Sequence, residues 1–262
     1  MLKIEDLHKT FDTGTINEKV VLNGIDLTLQ DGDFVTVIGS NGAGKSTLLN
    51  AIAGVFIADK GKILIDDKDI TKLKEHERAK YIGRVFQDPN RGTASDMWIE
   101  ENLALAYMRA TTKTHIFSCI SKKEEEGFKL ALKELDMGLE DRLDTPVGTL
   151  SGGQRQALTL LMATIVPPKI LLLDEHTAAL DPIAAQKVMN LTNKIVKENK
   201  ITCLMITHDM KIALSTGNKT ILMHDGNIVC KLDEQQKQNM KVEDLINKFH
   251  DALNDDRILL DN

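Results

Sequence analysis

The 262 residues include only three cysteines, Cys119, Cys203 and Cys230, with no CxxC pair and an odd count. That excludes a disulfide framework and fits free thiols in a reducing cytosol. The opening stretch MLKIEDLHKT is charged throughout and has no apolar h-region, unlike a secretory signal. Apolar runs are short. Ile170–Leu173 is among the longest, far below the length of a membrane span. An excess of basic charge is also missing: 33 Lys and Arg stand against 39 Asp and Glu, a net charge of −6. No global positive field therefore points to nucleic acid. Internal repeats and low-complexity tracts are absent. What remains, 42% hydrophobic and 27% charged residues, suits one large α/β domain or two small ones with a real core. The expectation is a cytosolic chain that can dock on a membrane partner.

One stretch organises the rest. GSNGAGKST, Gly39 to Thr47, directly follows the apolar run Phe34–Ile38 and directly precedes a helical pattern from Leu48 to Ala53. Strand, glycine-rich turn and helix together are the context of a phosphate-binding loop. Gly39, Gly42 and Gly44 let the backbone, with Ser40, Asn41 and Ala43, curl closely around an anion. The helix then presents N–H groups and its positive dipole end to the same phosphates. Lys45 can reach the β- and γ-phosphates, the hydroxyl of Ser46 can bind Mg²⁺, and Thr47 completes the motif. A plain Gly-rich turn would not require Lys followed by Ser and Thr. The chain is expected to bind a nucleoside triphosphate.

In chain order, Leu2–Glu5 and Ile25–Leu29 alternate as strands. Phe11 falls between them in a polar loop, open between core packing and stacking on a purine. Gly54 is a helix stop, Ile63–Ile65 a short strand, Lys74–Lys80 a charged helix and Ile82–Phe86 a strand ending at Gln87. Composition then turns helical, over Asp96–Ala110 and again after Ser121, where Ser121 to Glu124 is a capping box. Thr111–Ile120 reads as a locally buried loop or an exposed docking surface. Leu150–Gln154 opens a further helix. Ile170–Leu173 and Ile201–Ile206 are buried parallel strands, and Asp181-Pro182 starts the helix between them. Asp225-Gly226 marks a hairpin, residues 232–240 a polar linker, and Val242–Leu260 a helical tail. Strands alternating with helices give an α/β fold with a mainly parallel sheet and an inserted helical piece.

Phosphoryl transfer to water needs a cradle, a metal, a positioned water and charge neutralisation. Asp174 ends a buried strand, where open α/β sheets place their ligands, and can hold Mg²⁺ with Ser46. Glu175 follows as the candidate general base. His208, at another strand end, can bond the γ-phosphate and orient the water. Gln87 can reach metal or water and report nucleotide state to the helical piece.

LSGGQRQ at Leu150–Gln156 is similar to the signature motif of ABC-type ATPases, and the whole set stands in that family's order across roughly residues 1–231. The resemblance implies a P-loop NTPase fold: a RecA-like core, an N-terminal antiparallel β subdomain and an inserted α-helical subdomain. The implied boundaries are 1–88 and 155–231 for the core, 89–154 for the helical and signature subdomain, and 232–262 for a linker and tail. It also implies a head-to-tail homodimer with two shared ATP sites. Ser151, Gly152, Gly153 and Gln154 would face the γ-phosphate held by the other subunit. Asp181 would link the two sites, and Phe11 would be the adenine-stacking aromatic. One departure is His176, where family members often carry Pro; it reads as a solvated turn residue. The implied role is an ATPase on the cytoplasmic face of the membrane, bound to transmembrane permease subunits and served indirectly by a solute-binding protein. EHTAALDP and GTASDMWIEENLALA resemble tryptophan/tyrosine-type uptake systems, relatives of branched-chain amino acid importers. An exporter or lipoprotein-release ATPase is the alternative. A DNA-repair ABC ATPase would need a long coiled coil between its motifs, whereas about sixty residues without heptads separate Gln87 from the signature. A translation-factor member would carry two ATPase units.

Overall fold

The computed structural model describes residues 1–110 and 120–248. The expectations for Thr111–Cys119 and for the tail beyond residue 248 lie outside them. Two compact units emerge: Met1–Arg78 with the chain from Thr202 onward, and Ala79–Ile201.

The first unit opens with β1 (Leu2–Phe11) and β2 (Lys19–Leu29), which pair antiparallel through several register shifts. Phe11 is the last residue of β1, paired with Lys19, and so not in a loop as its polar neighbours suggested. Strand β3 (Phe34–Gly39) is buried along almost its whole length and leads through the glycine loop into helix α1 (Lys45–Ala53). Next come β4 (Lys60–Ile65), the two-residue β5 (Lys68–Asp69) and the single turn α2 (Glu75–Arg78). β4 adds to the other edge of β1, completing an antiparallel sheet in the order β2-β1-β4-β5.

The chain then builds the second unit. β6 (Ile82–Val85) is followed by helices α3 (Ile99–Ala110), α4 (Lys122–Lys133) and α5 (Gly152–Thr164), then β7 (Ile170–Asp174) and α6 (Pro182–Glu198). β6 and β7 run parallel, Ile82 opposite Ile170 through Val85 opposite Leu173. Ser121 caps α4 with the full reciprocal box its sequence promised. Phe128 and Leu132 are the buried residues of that helix.

Returning to the first unit, the chain adds β8 (Thr202–Ile206), α7 (Met210–Ser215), β9 (Lys219–His224), β10 (Asn227–Leu232) and α8 (Glu234–Gln238). β3 lies between β8 and β9, parallel to both, and β10 returns antiparallel along β9. The polar linker expected at 232–240 is instead mostly structured. Asp233 caps α8 in a reciprocal box with Gln236. Lys237 is buried there, its Nζ donating to the carbonyls of Thr216 (2.6 Å) and Lys219 (3.3 Å). Polarity alone hid this, because an ammonium can be buried when carbonyls receive it. Burial lowers the Lys237 pKa to about 8. Residues 242–248 are helical, and Leu245 joins Ile38, Ala213, Leu222 and Leu232 in one core cluster.

Arg78 is a second concealed cation. It is 1% exposed, and its guanidinium donates to Ala51 and Ile52 at the end of α1, and to Leu73 and Thr71, all at 2.7–2.9 Å. The last carbonyls of a helix lack partners within it and carry negative dipole charge, so a guanidinium fork satisfies both needs. Gly54 makes room: a Cβ there would come 2.7 Å from Arg78 Nε.

Candidate functional site

In the first unit, β3 delivers the chain to a loop that cannot carry side chains at its two ends. A Cβ on Gly39 would meet the Met223 carbonyl at 2.2 Å, and one on Gly44 the Val21 carbonyl at 2.5 Å. Gly44 also has φ +92°, the left-handed region. The Asp225-Gly226 hairpin turn clamps the loop from outside: Gly226 N donates to Ala43 O (3.2 Å), and Asn23 N to Gly226 O (2.9 Å). Neither brace was readable from the motif, since the loop's pattern says nothing about a residue so distant in the chain as Gly226.

Gly44 caps α1 without a side-chain hydrogen bond, and the first turn holds no acidic residue. Those amides suit an anion. Lys45 is buried with its Nζ inside the loop, donating to the carbonyls of Gly39 (2.8 Å) and Ser40 (2.9 Å). Ser46 and Thr47 follow in the same turn. His208 leaves the C-terminal end of β8, parallel neighbour of β3, and so stands at the sheet edge that carries the loop. Its exit is fixed by Thr207 N donating to Val37 O (3.1 Å) and by Asp209, whose carboxylate caps α7. Phe11 is 37% exposed and sits edge-on to Phe56, with Lys9 beside both rings.

In the second unit the parallel pair β6 and β7 ends in Gln87 and in Asp174-Glu175 at one edge. Asp174 is half-buried, 3.9 Å from the guanidinium of Arg84. Glu175 adopts φ +48°, a left-handed conformation costly for a non-glycine, and its carbonyl accepts from Ala178 N (2.9 Å). Local strain of this sort is held by surrounding structure and gathers at working sites. Gln87 is exposed beside Phe86, whose ring centroid lies 4.5 Å from the guanidinium carbon of Arg84 and 5.0 Å from that of Arg91, and whose carbonyl accepts from Gln156 (3.0 Å).

Ser151 caps α5, its Oγ accepting from Gln154 N, while Gln154 Oε1 accepts from Ser151 N and its Nε2 donates to Met137 O. The Gln154 side chain is thus engaged in shaping the turn. Gly152 is exposed; a Cβ on Gly153 would sit 2.8 Å from the Ala184 Cβ, so Gly153 permits α5 and α6 to close. Asp181 caps α6, accepting from Ile183 N and Ala184 N.

His176 is not a solvated turn residue. It is 2% exposed, and its Nε2 lies 3.0 Å from Thr192 Oγ1. The Thr192 hydroxyl already donates to Val188 O (2.8 Å), so His176 donates and is neutral with hydrogen on Nε2. Burial lowers its pKa from 6.5 to about 4. The unfolded chain therefore binds more protons between those values, and this contribution is fully present above pH 6.5 and lost as pH falls toward 4. Its full size is about 3 kcal/mol. His176→Gln keeps the donor and removes the titration, so acid unfolding followed by circular dichroism should move to lower pH; an unchanged midpoint would refute the assignment.

A buried strand, glycine loop, Lys-Ser-Thr helix start and strand-end acid define a P-loop nucleoside triphosphatase. The chain belongs to the ABC transporter family, whose profile matches residues 22–178, and its reaction is ATP hydrolysis. Among similar proteins, the tyrosine transport ATP-binding protein of Clostridioides difficile is 42% identical, covering 97% of this chain and 100% of the relative. The bacitracin export ATP-binding protein BceA of Halalkalibacterium halodurans is 32% identical over 88% of each. A dimeric ATP-binding cassette in a post-hydrolysis state with ADP and Pi superposes with TM-score 0.76 at 28% identity, covering 89% of this chain and 99% of that one. No helix among the described residues is long and apolar enough to cross a membrane.

Proposed function

We propose that this chain energises a membrane importer of an aromatic amino acid, working as a head-to-tail homodimer on the cytoplasmic face of the membrane. The observation that carries the substrate class is the 42% identity, end to end, with a tyrosine transport ATP-binding protein. Permease subunits would dock on the inserted helical subdomain (89–154), near Gln87–Asp96, and a solute-binding protein would deliver cargo.

In the proposed site, Gly39–Thr47 cradle the triphosphate, and Phe11 stacks on adenine. Ser151, Gly152, Gly153 and Gln154 of the second copy close over the γ-phosphate, and Asp181 joins the two sites. With Gln154's side chain occupied in its capping box, the backbone amides of that turn are the natural donors. The Ser46 hydroxyl, Asp174 carboxylate and Gln87 amide oxygen are hard donors suited to Mg²⁺, which keeps few protein ligands beside phosphate oxygens. When bound, Mg²⁺ would neutralise phosphate charge. Glu175 takes the proton of the attacking water, and His208 orients that water against the γ-phosphate.

The P-loop role is tested by Lys45→Ala, which should weaken ATP binding at least about tenfold, the loss of one charge-assisted contact of roughly 1.5–3 kcal/mol; normal affinity by calorimetry would remove the assignment. The transport reading is tested in proteoliposomes with the cognate permease and binding protein. Tyrosine or tryptophan outside should stimulate ATP hydrolysis and accumulate inside. Stimulation by a substrate presented only from the cytoplasmic side would favour export, the reading that the bacitracin-export likeness supports.

A further inference from the structure

We infer that Phe56 and Lys9 are positioning residues that hold Phe11 as a preformed stacking platform for the purine base, a proposal that rests on Phe11 being the base-stacking aromatic. An aromatic ring at a strand end, 37% exposed, would ordinarily swing about its side-chain torsions. This one is restrained from two directions. The Phe56 ring meets it edge to face, centroids 5.4 Å apart and planes at 83°. The Lys9 ammonium lies 5.4 Å from the centroid of each ring.

Lys9 is itself fixed. Its Nζ donates to Asp59 Oδ1 (2.7 Å) and to the Ile57 carbonyl (3.3 Å). The other Asp59 oxygen accepts from Thr10 N (2.6 Å), and Asp59 N donates to His8 O (2.9 Å). The end of β1 is therefore stitched to residues 57–59, and the ring position follows from that stitching. Fixing a ring before its ligand arrives removes an ordering cost from binding. A cation within about 6 Å of a ring also draws on its π density, which favours an electron-rich purine as stacking partner. Exposed apolar side chains flank these residues along the chain and across the strand pair, Val55 and Ile57 on either side of Phe56 and Val20 opposite Thr10.

The test measures ATP and magnesium tripolyphosphate binding to the full chain by calorimetry, with steady-state ATP hydrolysis alongside. Phe56→Ala should raise Kd and KM for ATP about 3–10-fold, the range of an aromatic pair. It should leave kcat within about twofold and tripolyphosphate affinity unchanged. Phe56→Tyr, which keeps the ring edge, should restore ATP affinity. Lys9→Met should weaken ATP about 2–5-fold, as expected for one cation–π contact, again sparing tripolyphosphate. If Phe11→Ala weakens ATP while Phe56→Ala and Lys9→Met do not, the positioning role is wrong and Phe11 remains the platform. An unaffected Phe11→Ala variant would remove the platform itself. Equal losses for ATP and tripolyphosphate in Phe56→Ala would place its effect on the phosphate loop and overturn the inference.

Discussion

Glu175→Gln is expected to cut ATP turnover at least about 100-fold while leaving ATP affinity intact, because a carboxamide keeps the shape and loses the proton acceptor. The backbone supports this choice of probe. Glu175 sits at φ +48° with its carbonyl receiving Ala178 N, and neither feature depends on the carboxylate. Glutamine tolerates that conformation about as well as glutamate, so the turn and the following Asp181 cap should persist. The variant should accumulate as an ATP-bound dimer, seen as an ATP-dependent shift in size-exclusion chromatography. Phosphate release within about threefold of the parent would exclude Glu175 as the base.

Arg78→Met is expected to lower folding stability by about 3–5 kcal/mol, because several buried carbonyls lose their donor together. The substitution fills similar volume but leaves the carbonyls of Ile52, Leu73 and Thr71 without their guanidinium donor, and that of Ala51 with only a long bond from Gly54 N. Buried acceptors without donors cost about 1–3 kcal/mol each. Melting should fall by roughly 10 °C at this chain length. Arg78→Lys should recover less than half, since one ammonium cannot span carbonyls on both α1 and the 71–73 turn. A melting point within about 2 °C of the parent would show that water replaces the fork without loss.

Much of the placement of the candidate site's residues was legible because phosphate chemistry constrains residue type and spacing together. Gly39 to Thr47 had to join the end of a strand to the start of a helix, and Asp174 had to end a buried strand. The braces were invisible for the opposite reason. Arg78 looked like one charge among several on a short helix, and only the fold brings the end of α1 to it. His176 was expected in a solvated turn, whereas the chain turns inward there to reach Thr192. Phe56 gave no signal beyond being apolar next to a glycine stop. Phe11 was misplaced in a loop because β1 continues through the polar stretch His8-Lys9-Thr10, where pairing with β2 outweighs the lack of alternation.

The clamp of Gly226 on Ala43 has a consequence during synthesis. The loop is translated early, yet the carbonyl and amide that shape it belong to residues made about 180 positions later, a contact of high sequence separation. A nascent chain still on the ribosome therefore carries the motif without its final form until the β9–β10 turn has emerged. Tight ATP binding would then mark only chains synthesised past the β9–β10 turn.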